Sequence, residues 1–93
     1  MLPIAEYGAR FREILAALDD IADGEDMEEL NAELEDALFM LSQIDPKADD
    51  AAEEFTDALD ELDALRADYA RMPAAKDAAE RMGMLIEFAR KNG

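Results

Sequence analysis

The chain has 93 residues, with 25 acidic side chains against nine basic ones and a formal net charge of −16 at pH 7. Its 51% apolar content is more than a disordered acidic tail carries, so residues 1–93 read as one globular acidic domain with a modest core. The absence of cysteine and histidine removes disulfides, thiolate chemistry, the commonest general base and the commonest metal ligand, while the excess negative charge repels phosphates and anionic lipid headgroups.

Apolar residues recur at steps of three and four through Ile4, Tyr7, Phe11, Ile14, Leu18 and Ile21, which predicts a first helix near 3–22. Pro3 suits its first turn, and Gly24 suits a left-handed residue closing it. Asp26 and Glu29 have capping-box-like spacing for a second helix near 27–44, whose stripe runs through Met27, Leu30, Leu34, Ala37, Leu41 and Ile44. Leu38, Phe39 and Met40 widen that stripe and predict deep burial toward the helix end.

Pro46 drives Asp45 out of the helical region and supplies a fixed φ for a new first turn, so a third helix is predicted near 46–71 with Asp45 as its cap. Its stripe is Ala48, Ala51, Phe55, Ala58, Leu62, Leu65, Tyr69 and Met72, broadened by Ala52 and Leu59. Pro73 ends or kinks it, and Ala75, Ala78, Met82, Leu85 and Ala89, flanked by Ala79 and Ile86, continue as a fourth helix near 74–91. Arg90, Lys91, Asn92 and Gly93 suit its C-terminus, where cations meet the negative end of the dipole. Each apolar face is wider than a coiled-coil seam, and the connections are short. The expected fold is therefore all-α, a compact antiparallel four-helix bundle, with a kink at Pro73 as the alternative to a turn. Phe39, Met40, Met84 and Phe88 lie off the central stripes, and core broadening is the expectation for them. If exposed, they would favour a homodimer or an apolar docking site.

Little in the chain can perform chemistry. The nucleophiles reduce to Ser42 and Thr56 with no histidine to activate them, and no carboxylate falls on an apolar stripe where its pKa would rise. Asp19, Asp23, Gly24 and Glu25 hint at a calcium loop, but with Gly24 at the sixth position Ile21 and Leu30 would occupy ligand positions three and twelve. Neither catalytic residue, metal site nor cofactor is expected. The N-terminus has no basic and apolar leader pattern, and no apolar run approaches a membrane span, so a cytoplasmic protein is expected.

What remains is the charge. Between Glu25 and Asp68 lie seventeen carboxylates and two basic residues, Lys47 and Arg66, whereas residues 71–93 are net positive. The third predicted helix carries Asp49, Asp50, Glu53, Glu54, Asp57, Asp60, Glu61, Asp63 and Asp68 away from its apolar stripe, and the second carries Glu28, Glu29, Glu33, Glu35 and Asp36. The nine acids span roughly 30 Å at helical rise, one per about 3.3 Å, comparable with the phosphates of one DNA strand at about 3.4 Å. If the two helices are antiparallel neighbours, these fourteen residues form two acidic ridges, a candidate site for a basic partner protein, especially a nucleic-acid-binding one.

In size, charge and helix content the chain resembles small acidic inhibitors made by phages, including anti-restriction and anti-CRISPR proteins. That likeness is compositional and rests on no motif; it implies a way of working, mimicry of nucleic acid. The competing readings are a structural or adaptor subunit whose acidity serves solubility alone, and adaptation to high salt. Like charges at i, i+4, such as Glu53 with Asp57, weaken a helix, so a purely solubilising face would mix in lysines. The net positive C-terminal segment argues against salt adaptation, which acidifies every exposed face.

Overall fold

A computed structural model describes residues 3–92. Four helices follow one another: α1 (Ile4–Ile21), α2 (Glu25–Ser42), α3 (Ala51–Ala70) and α4 (Lys76–Asn92), the last entered through a single 3-10 turn, Pro73–Ala75. Each helix packs against the next in sequence, and α4 closes the ring against α1. Cross-helix contacts fix an up-down-up-down order: Asn31 meets Asp19, Asp60 meets Arg90, and the Tyr7 and Phe88 rings lie 6.3 Å apart. The result is an elongated bundle of 41 × 21 × 18 Å.

The apolar stripes meet at the bundle axis. Phe11, Leu18, Leu34, Leu38, Leu41, Leu59, Leu62, Tyr69 and Met82 are the largest fully buried side chains, and Tyr7 and Phe55 stack tilted at 5.6 Å inside. α4 buries Ala79, Met82, Ile86 and Ala89, and the 3-10 turn before it buries Ala75, so this part of the chain lies close to its neighbours with little bulk of its own in the core.

Several details depart from the sequence expectation. α2 begins at Glu25, two residues early, on an extended Gly24 with φ −164° and ψ 164° that makes no side-chain cap. Asp26 is thus a first-turn residue and no capping box, and with Glu25 and Glu28 it meets the positive end of the helix dipole. Nor is Gly24 a left-handed terminator, since α1 ends at Ala22 in an extended conformation. The third helix starts at Ala51 instead of Pro46. The Asp45 carboxylate accepts the Lys47 amide at 3.0 Å, and the Ala48 and Ala51 amides bond to the carbonyls three residues earlier, so residues 45–50 form successive turns. Asp45, Asp49 and Asp50 favour this outcome, because short acidic side chains compete with helical hydrogen bonds.

At Pro73 the chain turns. Met72 takes the extended conformation that precedes proline (φ −100°, ψ 118°), and α3 and α4 fold back on one another instead of forming one bent rod. Gly93, read from the sequence as part of the last helix terminus, lies outside the described residues.

Core broadening fails for four side chains. Phe39, Met40, Met84 and Phe88 are 56%, 62%, 73% and 57% exposed, because Leu34, Leu38 and Leu41 in α2 and the alanines with Met82 and Ile86 in α4 already fill the interior. Ile21 and Ala52 are also exposed, and Leu30, Ile44, Ala58 and Leu85 are only partly buried.

One polar group crosses the interior. The Tyr69 hydroxyl donates to Asn31 Oδ1 at 2.7 Å, and Asn31 Nδ2 donates to Asp19 Oδ1 at 3.0 Å, tying α3, α2 and α1 together. Asn31 is only 4% exposed, and no buried side-chain polar atom among the described residues lacks a partner. Burial, then the charges of Asp19 and Glu33, push the Tyr69 phenol above its ordinary value. The folded state therefore holds this proton more tightly than the unfolded chain. The linked stability is fully present below about pH 10 and declines by up to ~1.4 kcal/mol per pH unit above it. Tyr69→Phe is expected to flatten the alkaline arm of a pH–stability curve measured by urea unfolding.

Gly8 sits inside α1 with nothing within 4 Å of an added Cβ. Gly8→Ala is expected to raise stability by roughly 0.5–1 kcal/mol through helix propensity alone, measurable as a higher urea midpoint at unchanged slope.

Candidate acidic interface

Because α2 and α3 are antiparallel neighbours, the outward rows beside their contact run along one seam. On α2 the row is Asp26, Glu29, Glu33, Asp36 and Met40, in steps of three and four; on α3 it is Glu54, Asp57, Glu61, Ala64 and Asp68, in the same steps. This is the helical period of the core repeated one strip further round. The rows meet in order: Met40 faces Asp57 and Glu61, Glu33 and Asp36 face Glu61 and Asp68, and Asp26 and Glu29 face Asp68 and Arg71. A shallow trough results, floored by Leu30, Ala37, Ala58 and Leu65 and walled by eight carboxylates.

Seven of the fourteen residues singled out from the sequence line this trough: Glu29, Glu33, Asp36, Glu54, Asp57, Glu61 and Asp68. Seven do not. Asp49 and Asp50 lie in the turn before α3, and Glu28, Glu35 and Glu53 are exposed outside the trough. Asp60 and Asp63 are paired instead, Asp60 with Arg90 of α4 at 2.9 Å and Asp63 with Arg66 at 2.7 Å. The picture of nine acids along one α3 ridge is corrected accordingly: α3 has two outward sides, and only four of its acids share the α2 side.

Asp26, Met40 and Arg71 belong to the trough and were not in the sequence-derived set. The spacing of Asp26 to Glu29, Glu33 and Asp36 carries the signal that a capping-box reading of Asp26 passes over.

The trough runs about 21 Å from Glu54 to Asp68 at helical rise, one charge per about 2.6 Å. This lies between the axial charge spacing of one DNA strand, about 3.4 Å, and of the duplex, about 1.7 Å. The ion pairs among the described residues, Arg66–Asp63, Arg90–Asp60 and Lys91–Glu87, all lie outside it. Arg71 stands at the end nearest Asp26 and is the one cation in its wall.

Other polar groups are occupied locally. Ser42 Oγ donates to the Phe39 carbonyl at 2.6 Å and Thr56 Oγ1 to the Ala52 carbonyl at 2.9 Å, each within its own helix. No acidic side chain among the described residues is buried, and none of them forms a group placed to hold a metal ion. The α3–α4 groove alternates in sign, with Asp63, Glu80 and Glu87 beside Arg66, Lys76 and Arg90, so it has no comparable charge excess. No helix of the described residues is long and apolar enough to cross a membrane. Comparison with protein-family models, curated proteins and solved structures finds no match to this chain.

Proposed function

We propose that this protein acts without catalysis, by laying its α2–α3 trough against the basic surface with which a partner protein engages nucleic acid. In this reading it is a nucleic-acid mimic inhibitor of the anti-restriction or anti-CRISPR kind, working in the cytoplasm where such machinery operates. The observation that carries the reading is the convergence of eight carboxylates from two helices on one seam, at a charge spacing between those of single and double strands.

Two physical points add support. Helices hold the carboxylates in place, so binding orders little beyond the side chains themselves. The like-charge neighbours Glu29 and Glu33, and Glu53, Asp57 and Glu61, each cost the free protein a few tenths of a kcal/mol, a cost that a solubilising surface would avoid by interleaving lysine. A second reading, a subunit that assembles through apolar helix faces, draws on the exposure of Met84 and Phe88.

Competition separates the two. Proteins retained on the immobilised chain from a host lysate should be nucleic-acid-binding proteins, released by added duplex or guide-length single strands and by rising salt. Retention of only further copies of the chain would remove the mimic reading.

A further inference from the structure

We infer that the α1–α4 face is a homodimer interface, on which a second copy of this chain docks about a twofold axis. Met84 and Phe88 protrude there beside Leu85 and Ile14, in a groove edged by Arg10, Glu13 and Arg81. Half-exposed aromatic and methionine side chains on adjoining turns form an apolar patch that water solvates poorly, the usual mark of a contact surface.

Charge identifies the occupant. The chain as a whole carries −16, but the groove edge carries two arginines and one glutamate. Two like molecules approaching through the α2–α3 trough would bring sixteen carboxylates together, whereas approach through the α1–α4 groove brings one glutamate and two arginines from each copy. The edge is also self-complementary, since a twofold lets Glu13 of each copy face an arginine of the other. Phe88 already packs edge-on to Tyr7 at 6.3 Å, which holds its ring in place for a partner surface.

Around the ring of helices the α1–α4 seam lies opposite the α2–α3 seam. A dimer joined there points its two acidic troughs outward, two bundle widths of 18 to 21 Å apart. The inference is independent of what the trough binds.

Sedimentation of the intact chain tests it. The mass should rise with concentration from 10.3 kDa to twice that value. Added salt should strengthen association by screening the repulsion between copies. A head-to-tail contact of Arg10 and Arg81 with another copy's trough would weaken with salt instead. Because the chain has no cysteine, single thiols report geometry cleanly: Met84→Cys should form a disulfide-linked dimer, and Met40→Cys, in the trough, should not. Phe88→Lys should weaken dimerisation by at least about tenfold. Should loss of the Tyr7 contact unfold that variant, Met84→Lys, more exposed still, gives the same reading. A mass of 10.3 kDa at all concentrations and salts, a cross-link between positions 84 and 40 in a mixture, or dissociation by salt would overturn the inference.

Discussion

Reversing two charges, Glu33→Lys with Asp57→Lys, is expected to weaken binding to the basic partner on the order of a hundredfold while raising the melting temperature. The two effects have opposite signs because the same carboxylates act in different company. In the free protein Glu33 has Glu29 and Asp36 on its own helix and Glu61 and Asp68 across the trough, and Asp57 has Glu53, Glu54 and Glu61 around it. A lysine at either site turns several like-charge neighbours, each costing about 0.2–0.5 kcal/mol, into attractive ones. The sum is about 1 kcal/mol or more, roughly 4–8 °C for each kcal/mol in a domain of this size.

Against a cationic partner the signs invert. Each reversal removes a favourable pairing and introduces a repulsion, together about 2–3 kcal/mol for two sites. The control is Glu28→Lys with Glu35→Lys, which makes the same change in net charge on the exposed surface of α2 outside the trough. Isothermal titration and thermal melts on both pairs decide. Equal loss from both would mean that bulk charge, not the trough, does the binding; unchanged binding by the first pair would remove the trough from the interface.

Asn31→Ala is the largest single-site destabilisation expected of a polar residue, about 2–3 kcal/mol. Asn31 gives the Tyr69 hydroxyl its acceptor and takes Asp19 as its own, so alanine leaves the phenol buried without a partner and opens a small void. At roughly 4–8 °C per kcal/mol the fall is easily read in a thermal melt. Adding Tyr69→Phe to Asn31→Leu removes both halves of the bond and fills the space, so the double variant is expected to recover most of the loss. A double variant as unstable as Asn31→Ala would show that the site depends on shape more than on the hydrogen bond. A well-dispersed NMR spectrum would show whether helix register survives without the polar crossing.

Much of this was legible in the sequence, and the reasons for success and failure are physical. The three-and-four step through Ile4, Tyr7, Phe11, Ile14 and Leu18 defines α1 because nothing interrupts it. At residues 46–50 the same logic misleads, since Pro46 can open either a helix or a turn and the Asp45 carboxylate decides for the turn. Phe39, Met40, Met84 and Phe88 were unreadable for another reason. Periodicity gives the direction of the buried face, but its width depends on how closely the neighbours approach, and the alanines of α4 let the helices meet before Phe88 is reached.

The acidic trough sits between these cases. Asp26, Glu29, Glu33 and Asp36 already show its period, yet counting every acid of a helix together conceals that each helix has two outward flanks. Asn31 and Tyr69 gave no signal of being bonded, because residues thirty-eight apart in sequence meet only through the tertiary fold.

The lone arginine at the trough's edge gives it a direction. Arg71 sits beside Asp26 and Glu29 at one end, whereas the far end, by Met40, Gln43 and Ile44, has no cation in its walls. A cationic segment laid in the trough meets repulsion at one end only, so its two orientations differ in energy, as they would not on the uniformly charged backbone of a duplex. The surface thus has a polarity along its length, one that would select the way round in which the proposed partner lies.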